Sequence, residues 1–328
     1  MKKLIAALLL IITAFCALTS CEPTDDTQIK VGFLAGPTGI GMAKMINDHG
    51  GVDATEQYDF IKYTAPATAM TDLKAGNIDL ACVSTEVAAK FFNEGADIQV
   101  LALNCLNSIC LLTNDNVTIE SIYDLEGKTI CTSMQGTPKL ILKALLDAYG
   151  VNATISHTIG DGEDANTVNS PDQLAPVIVQ NKADIILAPV HLAYNAMSKP
   201  SAKHKIALDL DALWNEKFDT PIAMGCIVAR RSFIEEHPKA VEKFLQEYKA
   251  SIEYMSNTAN NETAANYVVS STVLLDLEPA KAALLSLSSG IRFIDGEQMK
   301  TILQNIYGVY GVNTIGGKLP SDEFYYEK

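Results

Sequence analysis

Leu73-Lys74-Ala75-Gly76-Asn77-Ile78-Asp79-Leu80-Ala81, followed by Ser84-Thr85-Glu86, is the stretch whose reading decides the fold. It reads as a helix end, a glycine turn, a short apolar strand and the start of another helix. Gly76 stands where helices commonly stop, because a residue without Cβ enters left-handed backbone freely. Ile178-Val179-Gln180-Asn181-Lys182-Ala183-Asp184-Ile185-Ile186, followed by Pro189-Val190-His191, runs in the same order, with Asp79 aligned to Asp184 and Ala88 to Ala193. A second pair of segments also corresponds. Phe33 to Thr38 leads into a helix, as Thr132 to Thr137 leads into Pro138 to Tyr149. Each half of the chain therefore carries two strand-to-helix loops of one kind.

Working outward, strands are predicted at Ile29 to Leu34, Tyr58 to Tyr63 and Ile78 to Val83. Helices are predicted after Gly36-Pro37-Thr38-Gly39-Ile40-Gly41 as far as Met45, at Ala67 to Ala75 and at Glu86 to Asn93. Short apolar strands alternating with helices imply parallel β-α-β units. A chain of 328 residues exceeds what one core usually serves, so two lobes are expected.

The N-terminus carries a separate signal. Met1-Lys2-Lys3 is basic, and Leu4 to Leu18 is apolar except for Thr13. That run of about 15 residues is shorter than the roughly 20 needed to span a bilayer core. A basic start, a short apolar run and small residues mark a secretory signal. Leu18-Thr19-Ser20-Cys21 resembles the lipobox of bacterial lipoproteins, which implies cleavage before Cys21 and acylation of its thiol. Residues 1–20 are thus expected to be a signal peptide and 21–28 a lipidated tether. Acyl chains hold a protein at a membrane because each buried methylene contributes about 0.8 kcal/mol.

Loss of Lys2 and Lys3 takes the formal charge from −14 to −16. So acidic a chain argues against nucleic acid, which needs clustered Lys and Arg. Of seven cysteines, Cys16 goes with the signal and Cys21 is acylated. Cys82, Cys105, Cys110, Cys131 and Cys226 sit among apolar residues without Cys-x-x-Cys spacing, so buried thiols are expected. A Cys105–Cys110 bridge is the alternative. The five histidines are scattered without zinc spacing, and Asp161-Gly162-Glu163-Asp164 has Asn166 where a calcium loop needs glycine. Gly36-x-x-Gly39-x-Gly41 is neither a dinucleotide fingerprint nor a P-loop. No Gly-x-Ser-x-Gly elbow occurs. No metal, cofactor or catalytic residue is expected.

The order of several segments resembles the periplasmic-binding-protein lipoproteins of the nitrate, sulfonate and thiamine-precursor group. These are Leu73 to Leu80, Asp124-Leu125-Glu126-Gly127-Lys128-Thr129-Ile130, Phe233-Ile234-Glu235-Glu236-His237-Pro238-Lys239-Ala240-Val241, and Gly317-Lys318-Leu319-Pro320 before Phe324-Tyr325-Tyr326. The resemblance implies a two-lobe periplasmic-binding-protein type 2 fold, each lobe a mostly parallel sheet flanked by helices. It places lobe 1 at 29–110 and 222–328 and lobe 2 at 111–221, with crossovers near Asn107 to Asn114 and Thr220 to Val228. It implies capture of a small solute between the lobes and delivery to the permease and ATPase of an ABC importer, without catalysis. A ligand-sensing receptor subunit and an extracytoplasmic enzyme on the same fold are the alternatives.

Helix N-termini present unpaired N–H groups and partial positive charge. Four of them face one cleft in this reading, at Gly36-Pro37-Thr38-Gly39, Ser84-Thr85, Gln135-Gly136-Thr137 and Pro189-Val190-His191. Small hydroxyls there either donate to a ligand or simply cap their helices. Phe33, Tyr63, Tyr194 and Trp214 are aromatic candidates to flank the ligand, with a place in the core or at the rim the alternative for each. Glu86 occupies the positive end that an anion would want, and few cations lie near these loops. A neutral polar or aminated heterocycle is therefore favoured over a sulfonate or nitrate, with Glu86 accepting from an amino group.

Overall fold

A computed structural model describes residues 25, 27–52, 57–160, 165–274 and 276–327. The signal peptide, Cys21, most of the tether and the acidic loop Asp161–Asp164 lie outside the described residues. In chain order the first elements are β1 (Ile29–Leu34), α1 (Pro37–Ile40), α2 (Ala43–Asp48), β2 (Tyr58–Tyr63), α3 (Pro66–Ala75), β3 (Leu80–Ser84), α4 (Thr85–Asn93) and β4 (Ile98–Leu106). There follow β5 (Ile109–Thr113), β6 (Thr129–Cys131), α5 (Pro138–Tyr149), β7 (Thr154–Ser156), β8 (Thr158–Ile159), β9 (Asn166–Thr167), α6 (Leu174–Val179), β10 (Ile185–Pro189), α7 (Val190–Met197), β11 (Lys205–Leu208) and α8 (Leu210–Lys217). The chain finishes with β12 (Ala223–Arg230), α9 (Arg231–Glu236), α10 (Pro238–Ser256), α11 (Asn261–Ser270), α12 (Leu277–Leu287), β13 (Ile291–Ile294) and α13 (Gly296–Tyr310).

Two sheets form the lobes. The first has strand order β13-β4-β12-β3-β1-β2 and the second β11-β5-β10-β6-β7, while β8 and β9 pair alone. Each sheet is parallel where β-α-β units build it, at β2-β1-β3 and at β7-β6-β10. Each turns antiparallel where a crossover strand enters: β12 lies against β3 and β4 in the first, and β5 against β10 and β11 in the second. Strands such as β5 and β10 are buried along their whole length because helices cover both faces, which explains their unbroken apolar sequence.

The first crossover stands at the start of the stretch Asn107 to Asn114. Ile109 and Cys110 already pair with Pro189 and Ala188 of β10, so the first passage occupies Asn107 and Ser108 rather than following residue 110. Asn107 makes it in left-handed backbone (φ 46), a conformation asparagine tolerates. Its N–H donates to Ile222 O at 3.0 Å and its Oδ1 accepts from Ile222 N at 3.2 Å, tying the outgoing crossover to the returning one.

The two aligned aspartates do matching work. Asp79 accepts from Lys30 N (2.9 Å) and Arg230 (2.5 Å), while Asp184 accepts from Asn114 Nδ2 (2.9 Å) and Asn116 Nδ2 (2.8 Å). Each carboxylate thus fastens the strand that opens beyond its turn to a neighbouring segment. Cys82, Cys105, Cys110, Cys131 and Cys226 are free and buried, so no Cys105–Cys110 bridge forms. Both apolar cores run through both lobes: one joins Leu103 and Ile306 to Leu142 and Trp214, the other Phe33 and Phe244 to Leu174 and Ala193. Helix α7 packs on α12 and α5 on α13 from the opposite lobe, and Lys199 pairs with Asp276 at 2.8 Å across the gap. The lobes are closed on each other.

Candidate functional site

The four strand-to-helix loops predicted to line a cleft converge where the lobes meet. α1 begins at Pro37 with Gly36 before it, α4 begins at Thr85, α5 at Pro138 and α7 at Val190. From the second lobe the imidazole of His191 lies over Gly36. A Cβ at that glycine would sit 2.6 Å from both His191 Cε1 and Nε2, and the backbone there (φ 109) is open to glycine almost alone. A second contact crosses the gap at Thr137, whose hydroxyl donates to Glu86 Oε2 at 3.1 Å.

Neither Ser84 nor Thr137 makes a side-chain cap to its helix. The capping alternative is not what the structure adopts at these positions, and their hydroxyls remain for other partners. Ser84 Oγ is buried and has none. His191 is 7% exposed with Nδ1 unpaired, and burial pulls its pKa down to about 3, so the ring is neutral at pH 7. Tyr310 OH, at the end of α13, is likewise buried without a partner, and its titration is raised by burial and then by nearby Glu86.

Other predicted residues fall elsewhere. Thr85 lies beside Ser84 but spends its hydroxyl on Ala223 O (2.8 Å), anchoring α4 to β12. Tyr63 packs its ring beside Gly32 and gives its hydroxyl to Asp72 (2.7 Å), within lobe 1 and not over the cleft. Phe33 and Trp214 are fully buried in the cores, Trp214 donating to Thr220 O at 2.6 Å. Gln135 is exposed at the rim, Gly136 (φ 95) turns the chain toward Thr137, and Tyr194 is half-buried against the lobe 2 core. Pro37 and Gly39 shape α1, whose Gly39 approaches Leu34 O too closely for any Cβ. Arg230 and Arg231 point away to Asp79 and Asp97.

Sequence reading missed two residues. Asn104 of β4 is 1% exposed, and its amide interacts with the buried Cys82 thiol and Tyr248 hydroxyl. Gly225 of β12 lies between it and Thr38, in register with Ser84. A polar residue inside the otherwise apolar run Val100–Leu106 was the available signal. A cavity of about 930 Å³ lies instead behind the crossovers, between Asp211 and Asn215 of lobe 2 and Arg292 and Gln298 of lobe 1. It is an open groove remote from the converging loops. No described helix is long and apolar enough to cross a membrane. Among the described residues no group of three or more His, Cys, Asp or Glu could hold a metal.

Two α/β lobes joined by paired crossovers, with strand-to-helix loops facing one cleft, define the periplasmic-binding-protein type 2 fold. The chain belongs to the NMT1/THI5-like family, whose model matches residues 51–261. A search of the curated proteins found no match. Among solved structures it is similar to an ABC transporter protein from Parabacteroides distasonis (TM-score 0.71, 16% identity, 92% of this chain and 100% of that one). It is also similar to the periplasmic aliphatic sulphonate binding protein SsuA from Escherichia coli (0.68, 14%, 92% of each chain). The periplasmic nitrate-binding protein NrtA from Synechocystis PCC 6803 follows (0.59, 17%, 79% of this chain and 70% of that one). At such identities the likeness is one of fold.

Proposed function

We propose that this protein is an extracytoplasmic lipoprotein, held to the bacterial cell membrane through Cys21, that captures a small solute between its lobes and passes it to the permease and ATPase of an ABC importer. The observation that carries this reading is the pair of buried polar groups, one from each lobe, that stand at the facing loops with hydrogen-bonding capacity unspent: Ser84 Oγ and His191 Nδ1. Leaving such groups unsatisfied costs about 1–3 kcal/mol each. A solute that completes them on closure favours the closed form by the difference, which is how a hinge protein turns binding into a shape a transporter can recognise.

The chemistry of the cleft bears on the cargo. Gly36, Thr38, Ser84, Glu86, Asn104, Thr137 and His191 bring one carboxyl group and no Lys or Arg, and the imidazole is uncharged. A nitrate or sulfonate would find no compensating cation there. A neutral polar or amino-bearing heterocycle finds an acceptor in Glu86 and several neutral partners.

Thermal unfolding of residues 22–328 against alkyl sulfonates, nitrate, bicarbonate, aminopyrimidines, thiamine and riboflavin tests the reading. A bound solute at 100 times its Kd stabilises by about 2.7 kcal/mol. Stabilisation by one chemical class supports solute capture and names the cargo class. A flat response to all of them counts against it.

A further inference from the structure

The groove behind the crossovers, about 930 Å³, is a second place where the two lobes face each other, and its volume lies in the range of small-molecule sites. Asn107 and Pro221, one from each crossover, line it between a wall from lobe 2 and a wall from lobe 1. On the lobe 2 wall Asp209 spends an oxygen capping α8, accepting from Asp211 N and Ala212 N at 3.1 Å each. Asp211 beside it has Oδ1 buried without a partner. Burial and then the Asp209 charge raise its pKa to about 7, and no cation acts against them. A carboxylate withdrawn from water is normally offset by a cation or a set of donors. This one has neither at Oδ1.

On the lobe 1 wall Arg292 gives Nε to Ser289 O at 2.8 Å, and among the described residues its guanidinium pairs with no carboxylate. A guanidinium fork binds a carboxylate through two parallel hydrogen bonds, and that capacity is unspent here. Glu297 shares this wall, but it stands in the first turn of α13, where a carboxylate complements the positive helix end. Leu106, Ile294 and Ile302 supply apolar surface between the charged groups. A plain amine would meet Arg292, and a plain carboxylate would meet Asp209, Asp211 and Glu297. An ammonium and a carboxylate on one short aliphatic chain satisfy both walls. We infer that the groove is a second ligand site, which takes an aminoalkanoate with its ammonium at Asp211 and its carboxylate at Arg292. Such a ligand spans the hinge, since each of its ends is held by a different lobe.

Calorimetric titration of the full chain with γ-aminobutyrate and ε-aminocaproate tests the assignment, with butylamine and butyrate as half-ligands. Asp211→Asn and Arg292→Gln each remove one anchoring charge, and Arg292 is exposed, so its replacement leaves the core intact. At least one aminoalkanoate is expected to bind about tenfold more tightly than either half-ligand. Its affinity is expected to fall about tenfold in each variant, as for a lost hydrogen bond between charged groups. Absence of binding by both aminoalkanoates would overturn the assignment. So would equal binding by wild type and both variants, which would put the ligand elsewhere on the molecule. A loss in Asp211→Asn alone, or butylamine binding as tightly as the aminoalkanoates, would remove Arg292 from the site and overturn it too. Solute capture in the front cleft is judged separately, by the solute panel.

Discussion

Thr137, at the start of α5 in the second lobe, donates its hydroxyl to Glu86 Oε2 in the first at 3.1 Å. Thr137 is 1% exposed and Glu86 8% exposed, so the bond is shielded from solvent. Each residue sits at the head of a helix whose axis ends on the cleft. The bond therefore forms only when the lobes are closed, and it takes up one of the two oxygens of the carboxylate that an amino-bearing solute would use.

Thr137→Val removes that bond at nearly constant volume. A hydrogen bond to a carboxylate is worth about 2 kcal/mol net, or about a 30-fold shift toward the open form. Distance measurements between fluorophores on the two lobes are expected to show the larger open fraction. An unchanged distribution would mean that the other interlobe contacts, such as α7 on α12 and α5 on α13, hold the lobes together without it.

Gly36→Ala is expected to act on closure and on stability together. The new methyl would meet the His191 ring at 2.6 Å, and the backbone at φ 109 would be strained by about 1–3 kcal/mol. The melting temperature should fall by several degrees, and small-angle scattering should report a more extended molecule. His191→Ala in the same background is expected to restore compactness while the backbone strain persists.

His191 makes stability depend on pH. Its folded pKa of about 3 lies below the unfolded 6.5, so between these values the unfolded chain binds more protons and stability rises with pH. The contribution is whole above about pH 6.5 and drains away as pH falls toward 3. Asp211 works with the opposite sign. Burial, and then the charge of Asp209, raises its pKa to about 7, so its contribution is present at low pH and lost as pH rises from 3.8 through 7. Urea unfolding from pH 4 to pH 7 is expected to show a flatter acid limb in His191→Gln than in wild type. Asp211→Asn is expected to steepen it.

Asp79→Ala cuts the bonds from Lys30 N and Arg230 and leaves the guanidinium with only Ile78 O and Ser232. The expected loss is about 2 kcal/mol, the range for bonds to a charged group. Asp184→Ala, which frees only two asparagine amides, is expected to lose less. Trp214, buried in the second lobe and the lone tryptophan, reports the unfolding. Equal losses would show that the guanidinium adds nothing.

The repeat of glycine or asparagine turn, aspartate and apolar strand was legible in the sequence because it arises from local rules: strand alternation, helix period and turn residues. Those rules set β1 and β2 at the residues read from the pattern and put helices after the same four loops. Local rules do not say where a side chain's partner lies. Ser84 and Thr85 are adjacent hydroxyl residues with the same sequence signal, yet Thr85 is bound to Ala223 O, far away in the chain, and Ser84 to nothing. Tyr63 read as a ligand-facing aromatic, whereas its hydroxyl goes to Asp72. Strand alternation and helix heads are short-range matters of backbone sterics and apolar period, and the sequence by itself determined them. Which polar groups meet in the cleft, and which of them stay unsatisfied, depends on segments brought together by burial across long stretches of chain, and only the tertiary structure decided it.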